Sequence, residues 1–272
     1  MSAVSFRDML KILARSRSLR FTSDMVRVVP SALLGRLRWS GRDVFYRSGT
    51  TDPFVLYQVL LKGGRKAEYY VPPAIRPRTI LDIGSNIGAS IIYFHHRFPD
   101  AKIFGFEPHP DTFRILKQNV ADLPGVTVFK YGLGASQQRL AVRADKVNYG
   151  AFNTRGRFKD RGAPAAPVEC EVRRLDEVLR ELGITQVDLL KIDCEGAEGD
   201  VFSTLPDEIL NQCQWIVGEF HDHTGFEVLA RLAPHFHLDL KKRMFGQRFR
   251  FHACNVKKMP QLSHSDIEAL QR

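Results

Sequence analysis

Apolar positions in this chain fall into short runs, and the runs alternate with helical patterns. Ile80, Leu81 and Ile83 form one nearly unbroken run, as expected of a parallel strand buried on both faces. Behind it, Ala89-Ser-Ile-Ile-Tyr-Phe94 opens a helix that reaches about Phe98 and stops at Pro99. The alternation repeats. Lys102–Phe106 predicts a second strand, Asp111–Val120 a helix, Val126–Phe129 a third strand, Val187–Asp193 a fourth and Trp215–Phe220 a fifth. Strands and helices in this rhythm predict an α/β fold on a mostly parallel sheet. An order of 3-2-1-4-5 puts the ends of the first and fourth strands side by side. Two stretches break the rhythm. Leu140, Val142 and Ala144, like Val168, Cys170 and Val172, alternate with polar residues and predict an antiparallel pair. Between them, residues 145–167 form a long loop rich in Gly, Pro and Arg, the kind that serves as a lid or binding loop. Phe236–Leu240 and Arg248–Cys254 predict a terminal hairpin.

Upstream, residues 5–20 carry Phe6, Met9, Leu10 and Leu13 on one helical face and Arg7, Lys11 and Arg15 on another. Such a helix either docks on its own domain or lies on an anionic membrane surface. A strand follows at Asp43–Tyr46, then a turn over Arg47–Asp52. A helix is predicted from Pro53 to about Leu61, with Asp52 as its cap. These patterns divide the chain into a basic helical extension (1–40), a lead-in (41–78), the main domain (79–256) and a tail (257–272). Charge sharpens the division. Residues 1–40 hold eight Lys/Arg and two acids, a net of +6, and residues 241–258 hold seven Lys/Arg and no acid, a net of +7. The whole chain is +10, so the remainder is 10 − 13 = −3, slightly acidic. Basic ends admit nucleic acid, an anionic membrane or an anionic substrate as partner. No apolar run reaches the length of a membrane span, and basic residues interrupt any signal-peptide core, so a cytoplasmic chain is expected. On the membrane reading, residues 5–20 would touch that membrane's inner face. Cys170, Cys194, Cys213 and Cys254 are scattered, without metal-ligand spacing.

Candidate chemistry gathers at two strand ends. Asp82 sits near the carboxyl end of the first strand, and Gly84, Asn86 and Gly88 follow at alternate positions, a turn that brings backbone against a ligand. A dinucleotide fingerprint requires glycine at 84, 86 and 89, where this chain has Asn86 and Ala89. Glu107 ends the second strand about 20 residues further on, where a carboxylate grips both ribose hydroxyls. Tyr131, after the third strand, is a candidate wall for an adenine ring. The fourth strand ends in Lys191-Ile-Asp193, and Asp193, Glu195 and Glu198 ring one turn. They read either as functional acids or as caps of the following helix. His221 leaves the fifth strand. No metal is expected, although His221, His223 and Asp193 are ligand types that geometry would have to unite.

Lys191-Ile-Asp-Cys-Glu-Gly-Ala-Glu198 resembles the hallmark motif of the FkbM family of methyltransferases. Arg47-Ser-Gly-Thr-Thr-Asp52 resembles that family's upstream R-x-G-T-x-D segment. Asp82-Ile-Gly-Ser-Asn-Ile-Gly88 and Glu107-Pro108 resemble its cofactor motifs, and Glu219-Phe-His221 its fifth-strand ending. The resemblance covers about residues 45–222 in consistent order. Cys194 stands where the family usually has Val, and Asn153 where it often has Ser. The resemblance implies a class I, Rossmann-like fold: a mostly parallel seven-stranded sheet with a terminal antiparallel hairpin and a β-hairpin insertion. It implies an S-adenosylmethionine-dependent O-methyltransferase acting on a hydroxyl of a sugar, glycan, polyketide or related metabolite. Asp82, Gly84, Ser85, Asn86, Gly88, Glu107, Pro108, Tyr131 and Asp193 would then hold the cofactor. Independently of the resemblance, Asp193 and His221 end adjacent strands of the expected order, and an imidazole titrates near neutrality. His221 is therefore expected as base, with Asp193 as its partner or binding the acceptor or cofactor amine directly, and Lys191 and Glu195 would complete the catalytic group. The alternative is an RNA-directed methyltransferase that uses the basic ends.

Overall fold

Two short helices, α1 (Phe6–Ser16) and α2 (Leu19–Val26), stand where the sequence pattern suggests one. Arg17 turns left-handed, with φ 51°, and its N–H caps the Leu13 carbonyl at 2.8 Å. The computed structural model describes residues 5–26, 33–142, 167–221, 223–242 and 249–259. Helix α1 docks through Ile12 and Ser16, which are buried, while Phe6 and Leu10 remain 75% and 51% exposed. The expected apolar face is therefore split, part against the domain and part outward. Next comes an antiparallel hairpin, β1 (Leu34–Trp39) and β2 (Arg42–Arg47), turning at Ser40-Gly41. A boundary at residue 40 would cut this hairpin in two. The first strand lies in what the sequence pattern assigns to a helical extension.

The segment after β2 is closed by polar contacts. The Arg47 guanidinium donates to both carboxylate oxygens of Asp52, at 2.7 and 2.9 Å, and to Thr112 Oγ1 at 3.1 Å. Thr50 Oγ1 donates to the Arg47 carbonyl and accepts from the Asp52 N–H. Helix α3 (Asp52–Leu56) starts from this turn and continues as a π-helical turn over Tyr57–Leu61. Asp52 begins the helix as expected. Its carboxylate, however, faces Arg47 rather than capping.

The main sheet is built from β3 (Thr79–Ile83), β4 (Lys102–Phe106) and β5 (Val126–Phe129), with helices α4 (Ala89–Arg97) and α5 (Pro110–Val120) between them. A side sheet follows: β6 (Gly132–Gly134), β7 (Gln138–Val142) and β8 (Val168–Arg174). β7 and β8 are antiparallel as expected, and the loop between them, with Asn153, falls outside the described residues. The chain then runs α6 (Leu175–Glu181), β9 (Leu189–Ile192), α7 (Glu198–Ser203), α8 (Asp207–Leu210), β10 (Trp215–Phe220), α9 (Gly225–Leu232), β11 (Phe236–Lys242) and β12 (Phe249–Asn255).

Seven strands lie in the order β5-β4-β3-β9-β10-β12-β11. The first five are parallel, and β12 runs antiparallel to both β10 and β11. This is the class I methyltransferase sheet that the motifs imply. Alternation within the strands feeds two cores. Ile80, Ile103, Leu189 and Val217 face α1, α2, the hairpin, α3, α4 and α5. Leu81, Ile83, Leu190 and Ile216 face α6, α7, α8 and α9. The N-terminal helices thus share one core with the sheet, through Ile12, Phe21 and Met25. No helix among the described residues is long and apolar enough to cross a membrane. Asn119 of α5 stitches the layers: it accepts the Phe45 N–H at 2.7 Å and donates to the Phe45 and Ile87 carbonyls.

The Arg47–Asp52 pair is buried, with side chains 10% and 2% exposed. Asp52→Ala removes the charge opposite a buried guanidinium and is expected to cost about 3–5 kcal/mol. A denaturant melt in which Asp52→Ala loses under about 1 kcal/mol would contradict that account.

Candidate active site

The glycine turn sits at the carboxyl edge of the sheet, where β3 meets β9. Gly84 has φ 78°, and a Cβ there would stand 1.9 Å from the Asp193 carbonyl oxygen. Only glycine permits that approach, which holds the ends of the two strands together. Asn86 is left-handed, with φ 49°, as its place in the motif suggests. Beneath the turn, Lys191 is 2% exposed and has three acceptors around its ammonium. They are Asp82 Oδ1 at 3.1 Å, the Gly84 carbonyl at 2.5 Å and the Ile83 carbonyl at 3.2 Å. Burial alone would lower the Lys191 pKa, but the charges of Asp82 and Asp193 outweigh it and raise it. Lys191 is therefore a fixed cation rather than a proton acceptor.

A cavity opens above this floor. The part beside the glycine turn is lined by Ser85, Asn86, Phe106, Glu107, Pro108 and Leu133. Glu107 is 3% exposed and accepts the Asn86 N–H at 3.0 Å and the His109 N–H at 2.9 Å, one on each oxygen. Burial pushes its pKa up to about 7 against those two bonds. A buried carboxylate aimed into a cavity, with further lone pairs on both oxygens, is suited to a diol. The other end is acidic: Glu68, Asp193, Glu195 and Glu219 all line it. Tyr69 Oη donates to Asp193 Oδ2 at 2.6 Å. Burial, then the Asp193 and Glu219 charges, hold that phenol far above its ordinary pKa.

His221 stands behind the acids and does not line the cavity. Its Nδ1 is 2.8 Å from Glu198 Oε1, and its Nε2 lies 3.4 Å from Glu195, 3.7 Å from Asp193 and 3.8 Å from Glu219. Burial would lower its pKa, but the Glu198 hydrogen bond and the charges of Glu195, Glu198 and Asp193 push it up to about 10. At neutral pH it is an imidazolium with no lone pair to receive a proton. That revises the expectation of His221 as base. The imidazolium supplies the positive charge this acid group needs. Asp193, Glu219 and His221 bring ligand-type atoms within 4.8 Å of one another, whereas His223 is exposed and outside the group. Burial, then the Asp193 charge, raise the Glu219 pKa to about 8.

The remaining sequence candidates divide by which way they face. Gly84, Ser85, Asn86, Glu107, Pro108, Lys191, Asp193 and Glu195 line the cavity. Three others expected at the cofactor do not. Asp82 is fully buried, bonded to Ser90 Oγ and Lys191, and acts on the turn from behind. Gly88 faces Leu116 and Val120 of α5. Tyr131 packs at a tilt against Phe106 and Phe129 under the Arg173 guanidinium, leaving Gly132 and Leu133 at the wall. Glu198 holds its own turn, accepting the Cys194 and Gly196 N–H groups, so for this acid the capping alternative describes what it does. Cys194 lines the cavity, and burial raises its thiol pKa well above the ordinary value. The sequence reading missed Thr51, Phe54, Glu68, Tyr69 and the orientation of Glu219. Glu219 was visible as a strand-ending acid, but Glu68-Tyr69 belongs to no motif.

Comparison with known proteins agrees with this geometry. The methyltransferase FkbM domain family matches residues 82–251, more than half of the chain. The methyltransferase sdnD of Sordaria araneosa is 31% identical over 174 residues, 54% of this chain and 67% of that protein. The 2-O-methyltransferase NoeI of Sinorhizobium fredii is 26% identical over 58% of this chain and 72% of its own length. The 31-O-demethyl-FK506 methyltransferase FkbM of Streptomyces tacrolimicus is 27% identical over 59% and 73% respectively. With the glycine turn, the Glu107 carboxylate and the acidic β9 end in one cavity, this chain belongs to the FkbM methyltransferase domain family and is a methyltransferase enzyme.

Proposed function

We propose that this enzyme moves a methyl group from S-adenosylmethionine to a hydroxyl of a sugar, polyketide or related polyhydroxylated metabolite. The observation that carries the reading is Glu107, a buried carboxylate fixed by two backbone N–H groups beside the glycine turn. The cavity residues fit the donor at both ends. Glu107 would accept from the ribose hydroxyls, and the acids at the far end would face the positive sulfonium and ammonium groups. Bound there, the donor supplies an electrophilic methyl carbon. NoeI and the Streptomyces FkbM protein are O-methyltransferases by name, which supports oxygen as the acceptor atom. The acid-rich wall favours a neutral acceptor over an anionic one.

The protein's remaining tasks are to align the acceptor oxygen and remove its proton. Glu219 is the better placed base. It lines the cavity, and a pKa near 8 makes it a good proton acceptor that is partly ionised near neutrality and mostly ionised above pH 8. Asp193 beside it would orient the acceptor hydroxyl. His221 would hold the acids in place from behind and limit how far the Glu219 pKa rises.

Two outcomes test this. Glu107 must be ionised to receive the diol, so S-adenosylmethionine affinity should tighten about tenfold from pH 6 to pH 8. Glu107→Gln should flatten that dependence, and Glu107→Ala should cost about 2–3 kcal/mol of binding. Calorimetry showing equal affinity for the variants, or a preference for NAD, refutes the assignment.

The second is kinetic, using labelled S-adenosylmethionine and a panel of mono- and oligosaccharides and macrolide polyols. Turnover should rise with pH through about 8 and then level, because Glu219 works as its carboxylate. Glu219→Gln should lose about 10²–10⁴-fold and the pH limb with it. His221→Gln should keep a limb but move it to higher pH, since the cation that restrains Glu219 is gone. A limb abolished by His221→Gln and kept by Glu219→Gln would return the base role to His221.

A further inference from the structure

At the cavity's acidic end stands a dipeptide that precedes residues 82–251, the span matched by the family model, and that belongs to none of the family motifs. We propose that Glu68 and Tyr69 are positioning residues for two of the cavity carboxylates, Tyr69 orienting Asp193 directly and Glu68 setting Glu219 through Arg250. The proposal rests on the reading of this end as the place where the acceptor loses its proton.

Tyr69 is 6% exposed, and its hydroxyl donates to Asp193 Oδ2 at 2.6 Å. The Lys191 ammonium lies 5.1 Å from the centre of its ring, so the floor of the site also fixes the ring. Among the described residues, Asp193 thereby has one oxygen held by a neutral donor and the other turned toward His221 Nε2 at 3.7 Å. A carboxylate gripped in this way has one orientation to offer a hydroxyl.

Glu68 works at one remove. Arg250 and Glu219 are cross-strand partners on β12 and β10, the arrangement in which opposite charges pair directly. The Arg250 guanidinium instead sits 2.7 Å from Glu68 and 4.0 Å from Glu219. Glu68 draws the cation aside. The Glu68 N–H is fixed to the Gln58 carbonyl at 3.1 Å, anchoring the dipeptide on the π-helical turn. Beside the neutral Tyr69 phenol, charged groups that act on Glu219 are Asp193 and Glu195 after β9, His221 just beyond β10 and Arg250 from β12. Two of them oppose its ionisation and two favour it, so moving Arg250 by an ångström or so shifts the balance. Without Glu68, Arg250 closes on Glu219 and ionises it at lower pH, making a weaker base.

Two acceptor-free measurements test the proposal. An infrared titration of the ligand-free protein follows the protonated-carboxyl stretch. The band that Glu219→Gln deletes should titrate near pH 8 in the parent and about one unit or more lower in Glu68→Gln. Calorimetry then compares S-adenosylhomocysteine with sinefungin, which carries an amine-bearing carbon in place of the sulfonium and its methyl. Tyr69→Phe should bind S-adenosylhomocysteine within about twofold of the parent while its preference for the amine falls about tenfold, as Asp193 loses its fixed orientation. An unmoved midpoint in Glu68→Gln overturns the Glu68 arm. In Tyr69→Phe, an unchanged amine preference, or equal loss of both ligands, overturns the Tyr69 arm and leaves a packing role. If the parent binds neither nucleoside but Glu68→Gln still moves the midpoint, the cofactor assignment fails while the control of Glu219 by Glu68 stands.

Discussion

The buried contact between Lys191 and Asp82 is the constraint on which the site depends. It joins the ends of β9 and β3, strands more than a hundred residues apart in sequence, and the same ammonium gathers the Ile83 and Gly84 carbonyls. A lysine this deep is tolerable only when its needs for a counter-charge and for hydrogen-bond acceptors are met. Here they are met by the turn that the cavity needs in one shape. The close passage of Gly84 against the Asp193 carbonyl adds a steric lock to the electrostatic one. Loosening either would let the glycine turn drift from the acids beside it.

Above that floor, a second balance sets the chemistry. Asp193, Glu195, Glu198 and Glu219 crowd one imidazole, and the crowd converts it into a cation. His221 then resembles Lys191 more than a catalytic histidine: a buried positive charge that keeps several carboxylates within a few ångströms of one another. The carboxylates differ because their surroundings differ. Glu198 is saturated by backbone N–H groups, Asp193 is held by Tyr69, and Glu219 is left with a raised pKa on the cavity wall. Environments that push neighbouring acids apart are how a protein obtains one proton acceptor from a group of like residues.

The N-terminal layer completes the site from ahead of residues 82–251. The closed turn Arg47–Asp52 launches α3, and Thr51, Phe54, Val55 and Val59 from that stretch line the cavity. The π-helical turn after α3 then places Glu68 and Tyr69 over the ends of β9 and β10. Because α1, α2 and the β1–β2 hairpin pack into the same core as β3 and β4, this layer is part of the folding unit.

The sequence by itself determined the order of the five parallel strands, the antiparallel pair after β6, the terminal hairpin and the strand ends at which chemistry would gather. Those features follow from local periodicity and from turn residues with few conformational alternatives, such as Gly84 and Asn86, and periodicity survives without knowledge of neighbours. It also gave the helix break after Phe98 but not the one at Arg17, because a left-handed arginine carries no signal of its own. Only the tertiary structure decided which acids face the cavity. Asp82 and Glu107 both lie at the carboxyl ends of neighbouring strands, yet one lies beneath the turn with Lys191 and the other opens into the cavity. Only the tertiary structure, likewise, made His221 a cation and Glu219 a near-neutral acid. The reason is physical: a side chain's charge state depends on burial and on charges brought together by packing, and those neighbours come from β9, β10, β12 and the lead-in, which no local window of sequence contains.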